Sequence, residues 1–204
     1  MSRLGVVTIF LLVLGVCSNG FSQNENPFSV LIDASHGGND LGATNRNMLE
    51  KDLSLQYSKK LAMRLENLNI RVLMSREGDE SVSLKDRVHK ANSSKVGALI
   101  SIHFNSSQKK EQKGFDTFFK AGCQGSALLD SLIHNNIASL DSVDDQGGRT
   151  ARFFVLKNSD VPAVVIHLGY MSNAENLSQL LNETFQERIV DAIAQAITEF
   201  ASRI

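Results

Sequence analysis

Three residues in this chain have the types of a metal site: His36 in Asp33-Ala34-Ser35-His36-Gly37-Gly38, Glu50 in Glu50-Lys51-Asp52, and His103 in Ser101-Ile102-His103-Phe104-Asn105. Two imidazoles and one carboxylate are a ligand set for catalytic Zn²⁺, with a fourth position left for water. A water held by zinc becomes a nucleophile near neutral pH. Each residue taken singly has a plainer role. A loop histidine often serves only as a surface hydrogen-bonding group. A glutamate in a helix's first turn favours the helix dipole, and a histidine after an apolar strand can be a satisfied core residue. The H-E-x-x-H pattern is absent, so local spacing does not by itself mark a zinc site.

The elements around the three residues place them together. Phe28 to Asp33 is a short β-rich apolar run ending at a glycine-rich loop, which predicts a strand leading into His36. Glu50 to Leu68 reads as a helix, Ile70 to Met74 as a strand, Ser83 to Ser93 as a helix and Ala98 to His103 as a third strand. Gly114 to Lys120 alternates and predicts a fourth, and Ser126 to Leu140 reads as a helix. Arg152 to Leu156 and Ala163 to Leu168 read as two more strands, and Ala174 to Leu181 and Thr184 to Ser202 as closing helices. This alternation predicts an α/β fold, a single layered domain over residues 27–204 with a mainly parallel sheet flanked by helices on both faces. Ligands of such sheets gather outside the carboxyl ends of the strands. His36, His103 and His167 all fall at such ends.

Composition narrows the class. The chain has 204 residues, 42% hydrophobic and 21% charged, with a net charge of −1. That is ordinary for one globular domain and offers no electrostatic case for nucleic acid. No phosphate-cradling Gly-x-x-x-x-Gly-Lys-Ser/Thr pattern occurs. Residues 1–22 are different material: Arg3, then a nearly pure apolar run from Leu4 to Val16, then small and polar residues. This pattern predicts a secretory signal peptide cleaved after Gly20 or Ser22. The run of about 13 residues is short against the roughly 20 a membrane span needs. Lipid attachment at Cys17 is the alternative, against which bulky Val16 stands where a small residue is usual. The predicted location is therefore secreted or periplasmic, in a bacterial envelope. With Cys17 removed, Cys123 is a lone cysteine and reads as a small packed hydrophobe.

Several segments resemble the zinc-dependent N-acetylmuramoyl-L-alanine amidases of bacterial cell-wall remodelling, the type 3 amidase family. The residues that carry the resemblance are VLIDASHGG, the Glu50-Lys51-Asp52 helix start, VLMSR (72–76), SLKDRVHKAN (83–92), ALISIHFNSS (98–107), KGFDTFFK (113–120) and RFFVLKNSDVPAVVIHLGYMSN (152–173). The resemblance implies that His36, Glu50 and His103 are zinc ligands. It implies peptidoglycan as the partner, cut at the amide between N-acetylmuramic acid and L-alanine. It also puts Arg76 and Asn105 near the site as residues that orient ligands or substrate; a salt bridge and a loop cap are their plainer roles.

The chain departs from the family at one position that matters. The family's general base is a glutamate on the last strand, and the residue matching it is His167, in Val164-Val165-Ile166-His167-Leu168-Gly169-Tyr170. Neither Asp160 nor Glu175 matches that position. Three readings stay open. His167 is a general base, with the near-neutral pKa of an imidazole but without the negative charge a carboxylate sets beside a developing ammonium. Alternatively it is a fourth ligand closing the zinc site. In the third reading it hydrogen-bonds beside an open zinc in a degenerate, wall-binding amidase. Ala34-Ser35, where the family has proline-glycine, is a smaller departure. His89 and His134 read as surface residues on helices.

Overall fold

The computed structural model describes residues 28–204. The predicted signal peptide, Cys17 and Pro27 lie outside the described residues. In chain order the elements are β1 (Ser29–Ala34), β2 (Thr44–Asn45), β3 (Met48–Leu49), α1 (Glu50–Asn67), β4 (Arg71–Met74), α2 (Leu84–Ser93) and β5 (Ala98–Asn105). They continue as β6 (Phe115–Phe119), α3 (Gln124–Ala138), β7 (Asp145–Thr150), α4 (Phe154–Asn158), β8 (Ala163–Tyr170), α5 (Ala174–Leu181) and α6 (Glu183–Ser202). Six strands form one sheet in the order β4-β1-β5-β8-β6-β7. The first four are mutually parallel; β6 runs antiparallel to β8, and β7 parallel to β6.

Strand periodicity decides which residues meet. Successive side chains point to opposite faces. On one face Val30, Ile32, Ile100, Ile102, Val164 and Ile166 join the main core, roofed by α1, α3 and α6. Helix α1 offers that core Leu53, Tyr57, Leu61 and Leu65, a four-residue spacing that lines one helix face. The other face carries Leu31, Leu99, Ala163, Val165 and Phe118, covered by residues of the shorter α2 and α4. Continuing the alternation along this second face gives Asp33, Ser101, His103, His167 and Asp116. These polar residues lie on the thinly covered face, toward the carboxyl ends of β1, β5 and β8 and the amino end of antiparallel β6.

One predicted element is corrected. Arg152 to Leu156 is not a strand. The strand lies earlier, at Asp145–Thr150, and Phe154–Asn158 is a short helix. The sequence DQGGRT has low β propensity and reads as a loop; pairing along the exposed edge of β6 makes it a strand. In the apolar run that follows, adjacent Val155 and Leu156 are both buried in the same small core. A strand would send them to opposite faces, whereas a helical turn keeps both on one side.

Candidate metal centre

His36, Glu50 and His103 converge. Each offers a ligand atom, and these atoms lie within 4.8 Å of one another. His36 Nε2 and His103 Nδ1 each stand 3.1 Å from Glu50 Oε1. Zinc with bonds of about 2.0–2.1 Å spaces tetrahedral donors by roughly 3.3 Å. Both separations are close to that edge, and the donor set is one zinc takes. The three residues therefore fit a zinc ion.

Local structure explains the convergence. His36 sits at φ 58, with Gly37 at φ 124 and Gly38 at φ 58, so the chain leaves β1 through a left-handed turn. His36 Nδ1 lies 2.9 Å from Asp40 Oδ2, the type of carboxylate contact that orients a metal-binding imidazole. Glu50 opens α1 and is buried. Its Oε2 accepts from the Ala43 amide at 2.8 Å and its Oε1 from the Phe104 amide at 3.0 Å. Burial opposes ionisation of Glu50, but contacts with His103 and His36 and the Ala43 amide outweigh it and hold the carboxyl far below its usual range. Burial likewise disfavours the charged form of His36, and Glu50 and Asp40 override it, raising the imidazole above its ordinary value.

The loop bearing His36 is held through its backbone. Arg76, 2% exposed, donates to the carbonyls of Ala34 at 3.0 Å, Ser35 at 2.8 Å and Lys51 at 2.6 Å. Its guanidinium is spent on the loop that bears His36, and Arg76 is not among the residues that line the cleft. Arg87 donates to the carbonyls of Ala34 and His36, each at 2.6 Å, and pairs with buried Asp33. Because Ala34 and Ser35 contribute carbonyls, the loop is anchored by atoms that any residue supplies. Gly42, at φ +65, is a tighter constraint: a Cβ there would lie 2.6 Å from both Glu50 Oε2 and His36 Cδ2. Gly42→Ala is expected to weaken zinc binding by about 10–100-fold, the range seen when ligand support is disturbed. Competition against a fluorescent chelator measures it.

His167 lies beside the cluster. It lines a cleft of about 450 Å³ together with His36, Asp40, Arg87 and His103, walled by Leu84, Phe153 and Phe154. Its Nδ1 stands 3.0 Å from Asp116 Oδ1. Asn105 is a neighbour of His167, its amide nitrogen 3.5 Å from the same ring nitrogen, and its Oδ1 caps the Ser106 amide at 2.8 Å. His89 is exposed on α2. His134 is not a surface residue: it is half-buried against the Phe115 ring, 3.1 Å from Thr117 Oγ1 and 3.1 Å from Asp145 Oδ2. It ties α3 to β6 and β7. Asp40, Arg87 and Asp116 escaped the sequence reading. The available signal for Asp116 was an acid amid the apolar residues of an alternating strand.

The chain is a layered α/β domain with a His-Glu-His cluster beside the strand ends of its sheet, and comparison with known proteins gives its family. The family model for N-acetylmuramoyl-L-alanine amidase matches residues 30–199, and the chain belongs to that family. It is 31% identical over 191 residues to YqiI of Bacillus subtilis (strain 168), covering 93% of this chain and 92% of that protein. It is 30% identical over 177 residues to the N-acetylmuramoyl-L-alanine amidase LytC of the same organism, covering 84% of this chain but 36% of LytC. The solved N-acetylmuramoyl-L-alanine amidase from Clostridium difficile 630 superposes with a TM-score of 0.84 at 35% identity, over 87% of this chain and 98% of that one.

Proposed function

We propose that this chain is a secreted, zinc-dependent N-acetylmuramoyl-L-alanine amidase that cuts peptidoglycan between N-acetylmuramic acid and L-alanine. The observation that carries the reading is the meeting of His36, Glu50 and His103 donors within 4.8 Å, in a chain of this family. His36, Glu50 and His103 hold the ion, which when bound supplies an activated water and polarises the scissile carbonyl. Asp40 and Arg87 keep the His36 loop in place. The cleft walled by Leu84, Phe153 and Phe154 receives the glycopeptide, and His167 faces the reacting amide as proton acceptor. Residues 1–22 direct export to the envelope.

One observation favours this reading over a zinc site closed by a fourth protein ligand. His167 does not belong to the group of mutually close ligand atoms among the described residues, and its Nδ1 stands 3.0 Å from Asp116 Oδ1. The purified chain, loaded with zinc, is expected to release stem peptides from sacculi. A chelator should abolish release and added zinc restore it. Absence of release where LytC acts on the same sacculi would sink the proposal.

A further inference from the structure

We infer that Asp116 is a positioning residue: clamped by Arg149, it fixes His167 with hydrogen on Nδ1 and the free lone pair on Nε2. The inference deepens the amidase reading and rests on it. It begins with strand register. Antiparallel pairing of β6 with β8 sets Asp116 opposite His167, and parallel pairing of β5 with β8 sets His103 on the other side. His103, His167 and Asp116 therefore form one row across three strands, on the face that opens into the cleft.

Asp116 is 1% exposed, in a strand whose other residues are Phe115, Thr117, Phe118 and Phe119. A carboxylate in such a place is costly to bury unless it is paired. One oxygen has its partner: Arg149 Nη2 donates to Oδ2 at 2.5 Å, and that guanidinium lies 4.7 Å over the Phe118 ring, a favourable cation–π stack. The other oxygen, Oδ1, is buried without an aligned hydrogen bond. His167 Nδ1 stands beside it at 3.0 Å. Buried polar atoms are nearly always satisfied, and a small rotation of the imidazole completes this bond with Nδ1–H as donor.

A rival contact argues for the opposite tautomer. The amide nitrogen of Asn105 lies 3.5 Å from His167 Nδ1, and an amide donor would ask for a lone pair there. The rival is weaker on both counts. Its distance is at the outer limit of a hydrogen bond, and it is neutral, whereas the bond to Asp116 is charge-assisted. Phe118 and Phe153, with ring centroids 5.0 and 6.1 Å from His167, wall in the imidazole. Nδ1 then belongs to Asp116, and Nε2 is the nitrogen free to act in the cleft.

This arrangement supplies what a lone imidazole lacks. A glutamate base brings a negative charge to the site, and a neutral imidazole does not. Asp116 provides that charge one residue back and stabilises the imidazolium that forms on proton uptake, the logic of a carboxylate behind a catalytic histidine. As the water oxygen bonds to the lactyl carbonyl carbon, Nε2 takes the proton. As the C–N bond breaks, Nε2 returns it to the departing nitrogen of L-alanine. Only water is consumed.

The test combines spectroscopy with kinetics on the full chain. In long-range ¹H–¹⁵N spectra of the metal-free and the zinc-loaded protein, His167, assigned with a His167→Gln variant, is expected to carry its hydrogen on Nδ1. Asp116→Asn should shift His167 toward the Nε2–H tautomer and lower kcat by about 10²–10⁴-fold. KM should stay within about threefold, the pattern of a lost transition-state interaction, with zinc content unchanged. An Nε2–H tautomer in the parent overturns the inference, and so does an Asp116→Asn variant that keeps the parent tautomer, whatever its rate. Should that variant fail to fold, the parent spectrum alone decides. An Nδ1–H signal in a zinc-loaded chain that hydrolyses no peptidoglycan supports the Asp116–His167 pair and overturns the amidase reading, so the two failures are distinguishable.

Discussion

Replacing Glu50 with glutamine should weaken zinc binding by at least about 100-fold, beyond the 10–100-fold typical of residues that only orient ligands. Glutamine keeps the shape but removes the one anionic donor of the cluster. It also disturbs the support of that donor. Glu50 accepts backbone amides at both oxygens, from Ala43 and Phe104, and a side-chain amide can accept at only one of its two terminal atoms. The variant is therefore less stable even without metal, by about 1–3 kcal/mol for an unsatisfied buried donor. Absolute stability would confuse that cost with the loss of zinc, so the informative quantity is the gain on adding zinc. At a free zinc concentration of 100 times the parent Kd the parent gains about 2.7 kcal/mol, and a variant with a 100-fold weaker site gains about 0.4 kcal/mol. Denaturant titration with buffered zinc reads both. If Glu50 were only a helix-dipole partner, substitution would cost about 0.3–1 kcal/mol and leave the zinc increment untouched.

The meeting of His36, Glu50 and His103 was legible because these residues fall where strand and helix patterns begin or end. His36 follows the apolar run of β1 and His103 lies near the end of β5. Glu50 opens an amphipathic helix whose buried residues recur every four positions. What the sequence hid is everything fixed by pairing between strands. Asp116 and His167 are 3.0 Å apart, yet 51 positions separate them, and no local spacing encodes an antiparallel partner. Strand β7 was hidden for a related reason: DQGGRT lacks strand propensity and gains its conformation from β6. The contacts of Arg76 were not legible, because a buried guanidinium directed at backbone carbonyls leaves no mark on side-chain patterns. His134 was misread as a surface residue because its partners, Thr117 and Asp145, lie on two strands that helix periodicity says nothing about.

Removing Arg87 should cost more stability than any other single charge change near the cleft. Arg87 is 3% exposed and Asp33 1% exposed. Breaking a buried pair by deleting one partner leaves an uncompensated charge and costs about 3–5 kcal/mol. Arg87→Ala is therefore expected to lower the unfolding free energy by about that amount at pH 7. The pH dependence identifies the cause. Burial alone would push the Asp33 carboxyl up, but the charge of Arg87 and hydrogen bonds from Ser101, Arg87 and Ser75 override it and hold it below its ordinary value. A carboxyl depressed in the folded state contributes stability above its unfolded pKa of about 3.9, and that contribution is lost as pH falls through the folded value. Without Arg87 the sign reverses. Burial then dominates, the folded carboxyl is raised, and the variant gains relative stability as acid protonates Asp33. The gap between parent and Arg87→Ala should therefore be widest near neutrality, begin to narrow above about pH 4 as the raised carboxyl of the variant takes up its proton, and narrow further below about pH 4 as the parent loses the contribution of its depressed carboxyl. Denaturant unfolding of both metal-free proteins across that range checks it, and a gap independent of pH would assign the loss to packing instead. Because Arg87 also donates to the His36 carbonyl at 2.6 Å, the same variant should bind zinc more weakly at pH 7. The buried pair thus links the stability of the β1 end to the position of His36.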